Sequence, residues 1–509
     1  MERKIFEGEK RPNVNYSAFD LSHEKKLSMQ FGQLIPVFLT DVVPGDMFRV
    51  NSEVMLRLSP TLAPVMHRIN VFMHYFFVPN RLVWGDWEDF ITGGDDGSAA
   101  PTFPQCQGIT DNAWREGLIG DYFGIPPYSG AAVTDYNFIS ELPFRAYQLI
   151  WSEYYRDQQL ETEYDPLTAP GSDDILTQVR TRNWEKDYFT SALPGLQKSS
   201  AITVAVSHTG PTPNYKTPAT FGAATAVGDI KSDGSDLQDS GSTDIALHNL
   251  DSTTPISLSS TVDINALRQA VRFQEWWEIA NRAGSRYTEQ ILAHFGVKSS
   301  DARLQRPEYL GGGRQPVIIS EVLNTTGATG ADVQGTMTGH GIAVGDQNSF
   351  SQRFEEHGYI IGIMSVLPRT AYQQGVPRHF LRDDKFDFYF PNFAHLGEQV
   401  VENREIYFDA TTGADDPTGT FGYQQRYAEY KYIPSTVHGE FRSTLDHWHC
   451  GIQYTAEPSL NADFINFTSS ESTDRIFANT TAADHKLWVQ IYHDVKAKRP
   501  MPYFADPRL

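Results

Sequence analysis

The run His447, Trp448, His449 and Cys450 is the densest set of possible metal ligands in the chain. Imidazole and thiolate groups are ligands that zinc prefers, and a structural zinc site needs four ligands. On a strand, however, His447 and His449 would share one face while Cys450 pointed to the other. This geometry supplies at most two ligands, and no nearby cluster completes the set. We therefore expect a packed or surface strand here and no metal site.

The glycine run Gly311–Gly313 within residues 301–313 (DARLQRPEYLGGG) could form a phosphate-binding loop. Such loops hold phosphate at the N-terminus of a helix that follows directly. Here the glycines are followed by Arg314, Gln315 and Pro316 and then by strand-like residues 317–320. The pattern therefore predicts a structural turn. The nearby Arg303, Arg306 and Arg314 fit structural ion pairs as well as they fit ligand contacts.

Acidic residues are abundant, but their spacing does not select a site. Asp95 and Asp96 and the aspartates of residues 229–244 could bind calcium weakly, yet they do not fit a twelve-residue loop with a terminal Glu. With 63 acidic residues in the chain, a catalytic carboxylate pair cannot be chosen from sequence. The motifs GxSxG and HExxH are absent. We expect no catalytic residue, no metal, no cofactor and no enzymatic activity.

One local basic cluster lies at the N-terminus and comprises Arg3, Lys4, Lys10 and Arg11. It fits a frayed, soluble terminus. It also fits an inward-facing arm, taken as residues 1–30, that touches nucleic acid. The net charge of −21 argues against nucleic-acid binding by the overall charge, because each neutralised phosphate requires a Lys or Arg.

The two cysteines, Cys106 and Cys450, exclude a disulfide framework, and a single bridge between them stays open. Residues 1–17 carry charges but no apolar run, so we expect no signal peptide. The apolar stretch 65–79 is interrupted by His67, Arg68 and further polar residues and is too short to span a bilayer. The sequence predicts a protein without membrane insertion that folds in a cytoplasm.

Hydrophobic patterning predicts a mainly β protein. Residues 48–58 (FRVNSEVMLRL) alternate as a half-buried strand, and residues 69–78 (INVFMHYFFV) are apolar on both faces, as in a strand covered on both sides. Near the other end of the chain, three segments are predicted strands: residues 426–433, 448–454 and 486–495. Strands at both ends imply one sheet system that pairs the two ends. We therefore predict a jelly roll with large insertions, as a single domain over residues 1–509.

The insertions have distinct compositions. Helical periodicity is present in residues 141–156, 264–282 and 286–295, the last closed by Gly296, so residues 264–296 form a helical insertion. Residues 199–263 are rich in Ser, Thr, Gly and Ala. They fit a flexible linker or, as we prefer, a long surface loop held by its neighbours. Residues 325–345 are predicted to form a second, smaller loop.

Several segments resemble the major capsid proteins of microviruses, small icosahedral single-stranded-DNA phages, and most closely the gokushovirus-like branch. The most specific are residues 74–94 (HYFFVPNRLVWGDWEDFITGG) and residues 301–312 (DARLQRPEYLGG). Shorter ones lie at residues 15–27, 32–36, 43–46, 187–194, 284–309 and 502–509, in order along the chain.

This resemblance implies an eight-stranded antiparallel viral jelly-roll barrel with long loop and helical insertions. Sixty copies would form a T=1 icosahedral shell around a circular single-stranded DNA genome. In the gokushovirus-like branch an insertion forms protrusions at the threefold axes, and residues 199–263 fall at that place. The aspartates expected in this surface loop are Asp229, Asp233, Asp236, Asp239 and Asp244. Outer loops of this kind would contact a host surface receptor, and the protein would be located in the virion.

The charge of such a shell has a direct consequence. Sixty copies at −21 each carry about −1260, so the shell cannot neutralise a packaged polyanion by its net charge. We expect a small basic DNA-binding virion protein, polyamines or metal cations to share the interior, and coat contacts limited to local Arg/Lys patches and aromatic stacking. A secreted β-sandwich carbohydrate-binding protein or glycosidase is the alternative on composition alone, as is an isolated phage spike.

Overall fold

The computed structural model describes residues 15–106, 114–127, 138–167, 174–199, 202, 207–208, 231–232, 237–238, 260–261, 264–325, 334–409, 416–467, 473–481 and 483–504. Its strands are β1 Ser17–Asp20, β2 His23–Met29, β3 Ile35–Val42, β4 Met47–Leu58, β5 Ile69–Pro79, β6 Ser207–His208, β7 Lys231–Ser232, β8 Leu237–Gln238, β9 Ser260–Thr261, β10 Glu308–Pro316, β11 Ile318–Leu323, β12 Met337–Arg353, β13 Gly358–Pro368, β14 Glu398–Glu402, β15 Thr420–Gln425 and β16 Leu487–Arg499. Its helices are α1 Trp87–Thr92, α2 Ile119–Phe123, α3 Leu142–Ile150, α4 Ile264–Ala283, α5 Tyr287–Phe295, α6 Asn403–Ile406 and α7 Ala462–Ile465.

Two antiparallel sheets organise the chain. The first has the order β1-β16-β4-β12-β11, with β2 paired to the same edge of β16 as β1. The second has the order β10-β5-β13-β3. The expected mainly β, antiparallel fold is confirmed, and so is the pairing of both chain ends in one sheet. Of the helices that the structure describes, none combines the length and apolarity needed to cross a bilayer.

The burial of each strand follows its sequence pattern. In β4, Phe48, Val50, Val54, Leu56 and Leu58 are buried, while the residues between them point outward, as the alternation predicts. The buried faces of β4 and β16 pack against β5 and β13, so one hydrophobic core lies between the two sheets. Strand β5 is buried on both faces because a second core, including residues of α3, covers its other side.

A chain of hydrogen bonds crosses the core between the two sheets. Tyr75 donates to Ser52 Oγ, and Ser52 Oγ lies 2.6 Å from His493 Nδ1. His493 Nε2 lies 3.2 Å from the Val37 carbonyl oxygen and donates to it, so Nδ1 is the acceptor of a neutral ring. A proton on Nδ1 would turn this nitrogen from an acceptor into a donor toward Ser52 Oγ. It would also place a positive charge in a fully buried site. Burial accordingly lowers the pKa of His493 to about 3.

The predicted helices are present. Helix α3 continues into a π-helical turn, Trp151–Tyr155, so that together they cover most of the predicted residues 141–156. Helices α4 and α5 match the predictions for residues 264–282 and 286–295, and Gly296 ends α5 in the left-handed conformation.

Three segments differ from the strands or loop predicted for them. Residues 426–433 contain the 3-10 turn Ala428–Tyr430, and residues 448–454 are irregular, so neither forms a strand. Ala428, Tyr432, Ile452 and Tyr454 from these segments pack on a small separate core, which requires burial but no strand pairing. The loop predicted at residues 325–345 overlaps β12, which begins at Met337. Its glycines are needed there because a Cβ on Gly339 or Gly341 would collide with Thr61 or Leu58.

The chain divides into two compact units, Met1–Leu196 with Asn281–Leu509, and Gln197–Ala280. In the second unit, the described residues form the pairs β6 with β9 and β7 with β8, together with most of α4. Most of residues 199–263 lies outside the described residues, so the surface-loop interpretation stays a prediction.

Mild acid is expected to destabilise the isolated subunit through His493. An unfolded histidine titrates near pH 6.5, whereas folded His493 stays neutral down to about pH 3, so below pH 6.5 the unfolded chain binds more protons. The contribution of His493 is complete above pH 6.5 and declines as the pH falls, by about 2 kcal/mol at pH 5. Urea unfolding of the subunit at pH 8, 6.5 and 5 measures this loss.

The variant His493→Gln should flatten that pH dependence, whereas the exposed control His395→Gln should leave it unchanged. An equally steep dependence in His493→Gln and in the unmodified chain would show that other groups cause the acid sensitivity.

Candidate interaction surfaces

The segment 447–450 forms structural contacts. It lies at the end of the 3-10 turn Asp446–Trp448, not on the predicted strand. His449 Nε2 donates to the Phe441 carbonyl oxygen at 2.7 Å, and Nδ1 accepts from Gly451 N at 2.8 Å. Both ring nitrogens are therefore engaged. Among the described residues, no three His, Cys, Asp or Glu side chains are grouped closely enough to hold a metal ion.

The two cysteines are free and buried. Burial raises the pKa of each thiol to about 12, so neither is a reactive thiolate near neutral pH. Because both thiols are free, the disulfide between Cys106 and Cys450 that the sequence left open is absent.

The glycine run Gly311–Gly313 lies within β10 and does not form the predicted turn. A bulge in the pairing with β5 falls between Tyr309 and Gly311. A Cβ on Gly312 would lie 2.1 Å from the Met73 carbonyl oxygen, so glycine is required by close backbone packing. The run has a structural role in the sheet, and only residues 301–306 form turns.

The arginines near this run take part in structural ion pairs. Arg306 lies 3.5 Å from Asp301 and 3.8 Å from Glu153, and its guanidinium stacks over Tyr154. Arg314 lies 3.7 Å from Glu185. The structural alternative therefore accounts for these two side chains, while Arg303 is exposed.

Most of the other predicted site residues fall in parts of the chain that the structure does not describe. Arg3, Lys4, Lys10 and Arg11 lie outside the described residues. The same holds for Asp229, Asp233, Asp236, Asp239 and Asp244. Asp96 accepts hydrogen bonds from Ser98 N and Ser98 Oγ in an exposed turn.

The outer side of the first sheet carries a surface that we name the basic sheet face. Its members are the outward side chains of β2, β4, β12 and β16. The cations are Lys26, Arg49, Arg57, Arg353, Lys496 and Lys498; the anions are Glu24, Glu53, Asp346 and Asp494; and the aromatic rings are Trp488 and Tyr492. In the whole chain 63 acidic residues outnumber 42 basic ones, so this face reverses the overall balance.

The strand register concentrates these cations. Arg49 is directly opposite Lys496, and Arg57 is directly opposite Trp488. Lys496 is compensated by Asp20 at 2.5 Å and Asp494 at 3.4 Å. Within the described part of the chain, Arg49, Arg57, Arg353 and Lys498 have no carboxylate within 4.0 Å. Like charges opposite each other on a sheet are destabilising, and an anionic ligand would relieve the repulsion.

The sequence indicated only part of this surface. The alternation of residues 48–58 placed Arg49 and Arg57 on the solvent side of a strand. Lys496 and Lys498 extend the same alternation at the end of β16, but only the strand pairing aligns them with Arg49 and Met47.

The fold and its surfaces define a structural β protein in which the conspicuous chemistry-bearing motifs serve packing. The family described as Capsid protein (F protein) matches residues 10–509. The chain therefore belongs to this family of phage capsid proteins, and its role is structural.

Named relatives agree with this membership. The chain is 35% identical to "Capsid protein VP1" of Chlamydia phage 1, a gokushovirus, over 97% of this chain and 96% of that protein. It is 35% identical to "Capsid protein VP1" of Bdellovibrio phage phiMH2K, over 96% and 95% of the two chains. A third relative, "Capsid protein VP1" of Spiroplasma virus 4, is 30% identical over 99% and 97%. The resemblance to microvirus major capsid proteins is confirmed, and the capsid class is favoured over a carbohydrate-binding protein or glycosidase.

Proposed function

We propose that this capsid protein forms a T=1 icosahedral shell of sixty copies around a circular single-stranded DNA genome. The match to capsid proteins along nearly the whole chain carries the proposal. Assembly would take place in the host cytoplasm, and the product would be the virion.

We further propose that the two sheets form an eight-stranded viral jelly roll. Among the described residues, eight strands have seven or more residues: β2, β3, β4, β5, β10, β12, β13 and β16. They separate into the neighbour orders β2-β16-β4-β12 and β3-β13-β5-β10. These orders support a jelly roll because successive strands pass from one packed four-stranded sheet to the other, except for β5 and β10, which pair within the second sheet.

The basic sheet face is our candidate for the DNA contact. Its unpaired arginines and lysine offer charges to phosphates, and Trp488 and Tyr492, exposed by 49% and 40%, offer rings on which bases can stack. A chain with a net charge of −21 can bind a polyanion only through such local patches. We propose that a small basic virion protein, polyamines or metal cations supply the remaining neutralisation, with residues 1–30 as a further inward contact.

Residues 199–263 are proposed to form the protrusion at the threefold axis. Their polar composition supports exposure to solvent, and in the chain they fall between β5 and β10. Loops at this position would also be available to a host surface receptor.

The first test is assembly. The full chain, expressed alone or with a small basic phage protein, should sediment as one large species and appear as uniform round particles by negative staining. Closed symmetry repeats each contact between copies, so moderate contacts suffice for a stable particle. A subunit that stays monomeric at high concentration would contradict the proposed shell.

The second test concerns the basic sheet face. The variant Arg49→Gln, Arg353→Gln, Lys498→Gln should bind an oligothymidylate 30-mer more weakly than the unmodified subunit. Three lost phosphate contacts should reduce the slope of log affinity against log salt by about 2, at about 0.7 per contact for single strands. Fluorescence anisotropy over a range of NaCl concentrations measures both quantities.

The matched control removes three exposed cations elsewhere, Lys298→Gln, Arg303→Gln and Lys431→Gln. It changes the net charge equally but should keep the slope within about 0.5 of the original value. Equal effects of the two triple variants would mean that DNA responds to total charge and not to this face.

The third test locates the insertion. A reconstruction of the assembled particle by electron microscopy should show residues 199–263 on the outer surface, in contact with copies around the threefold axis. Density for this segment on the DNA side of the shell would rule out the protrusion.

A further inference from the structure

A cluster of exposed aromatic rings lies far from the basic sheet face in sequence. It comprises Phe386, Phe388, Tyr389, Phe390 and Tyr430, which we name the aromatic patch. These side chains are between 41% and 52% exposed. Single exposed apolar residues are common on protein surfaces, but a contiguous set usually marks an interaction site.

The rings of the patch contact one another, or a shared neighbour, in two groups. Tyr389 lies 6.3 Å from Tyr430 between ring centroids, and the guanidinium of Arg382 bridges Tyr430 and Phe388 at 4.4 Å and 5.5 Å. Phe386 and Phe390 both contact Phe393, at 5.0 Å and 6.1 Å. The patch therefore consists of two groups of contacting rings, and all of its rings except Tyr430 lie on one short loop, residues 386–390.

The loop that carries the patch is fixed to the protein. The Tyr427 hydroxyl lies 3.1 Å from the Phe388 carbonyl oxygen and 3.2 Å from that of Phe386, to which Arg426 also donates at 2.8 Å. Tyr427 is buried, and its backbone amide donates to the Gln399 side chain of β14. These bonds hold the loop against the β14–β15 hairpin with its rings in solvent. A rigid aromatic surface loses little conformational entropy when a partner covers it.

The charges around the patch disfavour nucleic acid as its partner. Asp383, Asp384 and Asp387 lie within the loop and outnumber its one lysine, Lys385, whose ammonium lies 5.2 Å from the centre of the Phe386 ring. The cation of Arg382 is already paired with Glu429 at 3.6 Å. A polyanion would meet these carboxylates, whereas a protein surface can cover the rings with apolar groups. Aromatic residues are enriched in the buried centres of protein–protein interfaces.

We propose that the aromatic patch is a contact between copies of this chain and that it contributes to the assembly of the shell. The inference rests on the proposed self-assembly, because a shell protein has neighbouring copies on every side. A second copy is therefore the partner present at the highest local concentration during assembly. Covering the rings would bury the apolar surface that the isolated subunit leaves exposed.

Removal of two rings tests this contact. The full-length variant Phe388→Ser, Phe390→Ser should lower the assembled fraction at least tenfold in sedimentation velocity, while its thermal unfolding midpoint stays close to that of the unmodified subunit. The control Phe388→Leu, Phe390→Leu keeps apolar side chains at both positions and should assemble within threefold of the unmodified chain. A serine variant that assembles as well as the leucine control would overturn the proposal.

Labelling of a cysteine at position 388 gives a readout that does not depend on assembly yield. Cys106 and Cys450 are buried, so in Phe388→Cys a maleimide should report on the patch. Its labelling rate should fall at least tenfold on assembly, in empty particles as well as in DNA-filled ones. Equal rates in subunit and particle, or protection only in filled particles, would contradict a contact between copies.

The two proposals can fail separately. If the chain forms open or smaller oligomers in which position 388 is protected, the closed sixty-copy shell is wrong and the patch remains a contact between copies. If uniform particles form with position 388 fully reactive, the shell stands and the patch proposal fails. A chain that stays monomeric with a reactive patch contradicts both.

Discussion

Strand β16 lies between β4 on one side and β1 and β2 on the other, so segments near the two ends of the chain share one sheet. An ion pair reinforces this closure: Arg499 at the end of β16 binds the carboxylate of Asp46, which is fully buried in the turn before β4. Removing Arg499 would leave the buried Asp46 carboxylate unpaired and would destabilise the fold by about 3–5 kcal/mol. The rest of the fold depends on this pairing, because β4 and β16 supply much of the core between the sheets.

Closing the sheet with the chain ends allows long insertions between its strands. More than 200 residues separate the end of β5 at Pro79 from the start of β10 at Glu308, yet these two strands pair directly. The entropy of closing a flexible loop grows slowly with length, by about 0.6 kcal/mol for each doubling. The insertion also builds part of the protein, since α3 packs on the second sheet and buries the outer side of β5.

The same arrangement separates two kinds of surface. The outer side of the second sheet is covered by α3 and residues near it, whereas the first sheet presents its polar side, where Arg49, Arg57, Arg353 and Lys498 have no carboxylate within 4.0 Å among the described residues. The aromatic patch on the loop beside β14 and β15 has rings with aspartates around them. A capsid protein has to bind copies of itself, and one that encloses a genome also has to tolerate a polyanion. In the proposed shell, the basic sheet face and the aromatic patch would meet these two demands separately, so that one ligand would not compete for the site of the other.

Local patterns in the sequence determined much of the secondary structure. Strands β4, β5 and β16 and helices α3, α4 and α5 were predictable because alternation and helical periodicity are properties of contiguous residues. The resemblance carried by residues 74–94 and 301–312 was likewise sufficient to identify the family.

Tertiary structure decided what the conspicuous motifs do. Glycine is needed at position 312 because the carbonyl of Met73 lies too close for a Cβ. The His449 side chain hydrogen-bonds the backbone around it, and the Tyr427 hydroxyl anchors the loop at Phe388. These partners are distant in sequence or depend on the exact path of the backbone. Strand register likewise placed Lys496 opposite Arg49, because the pairing of distant strands is set by the shared core and not by either strand alone.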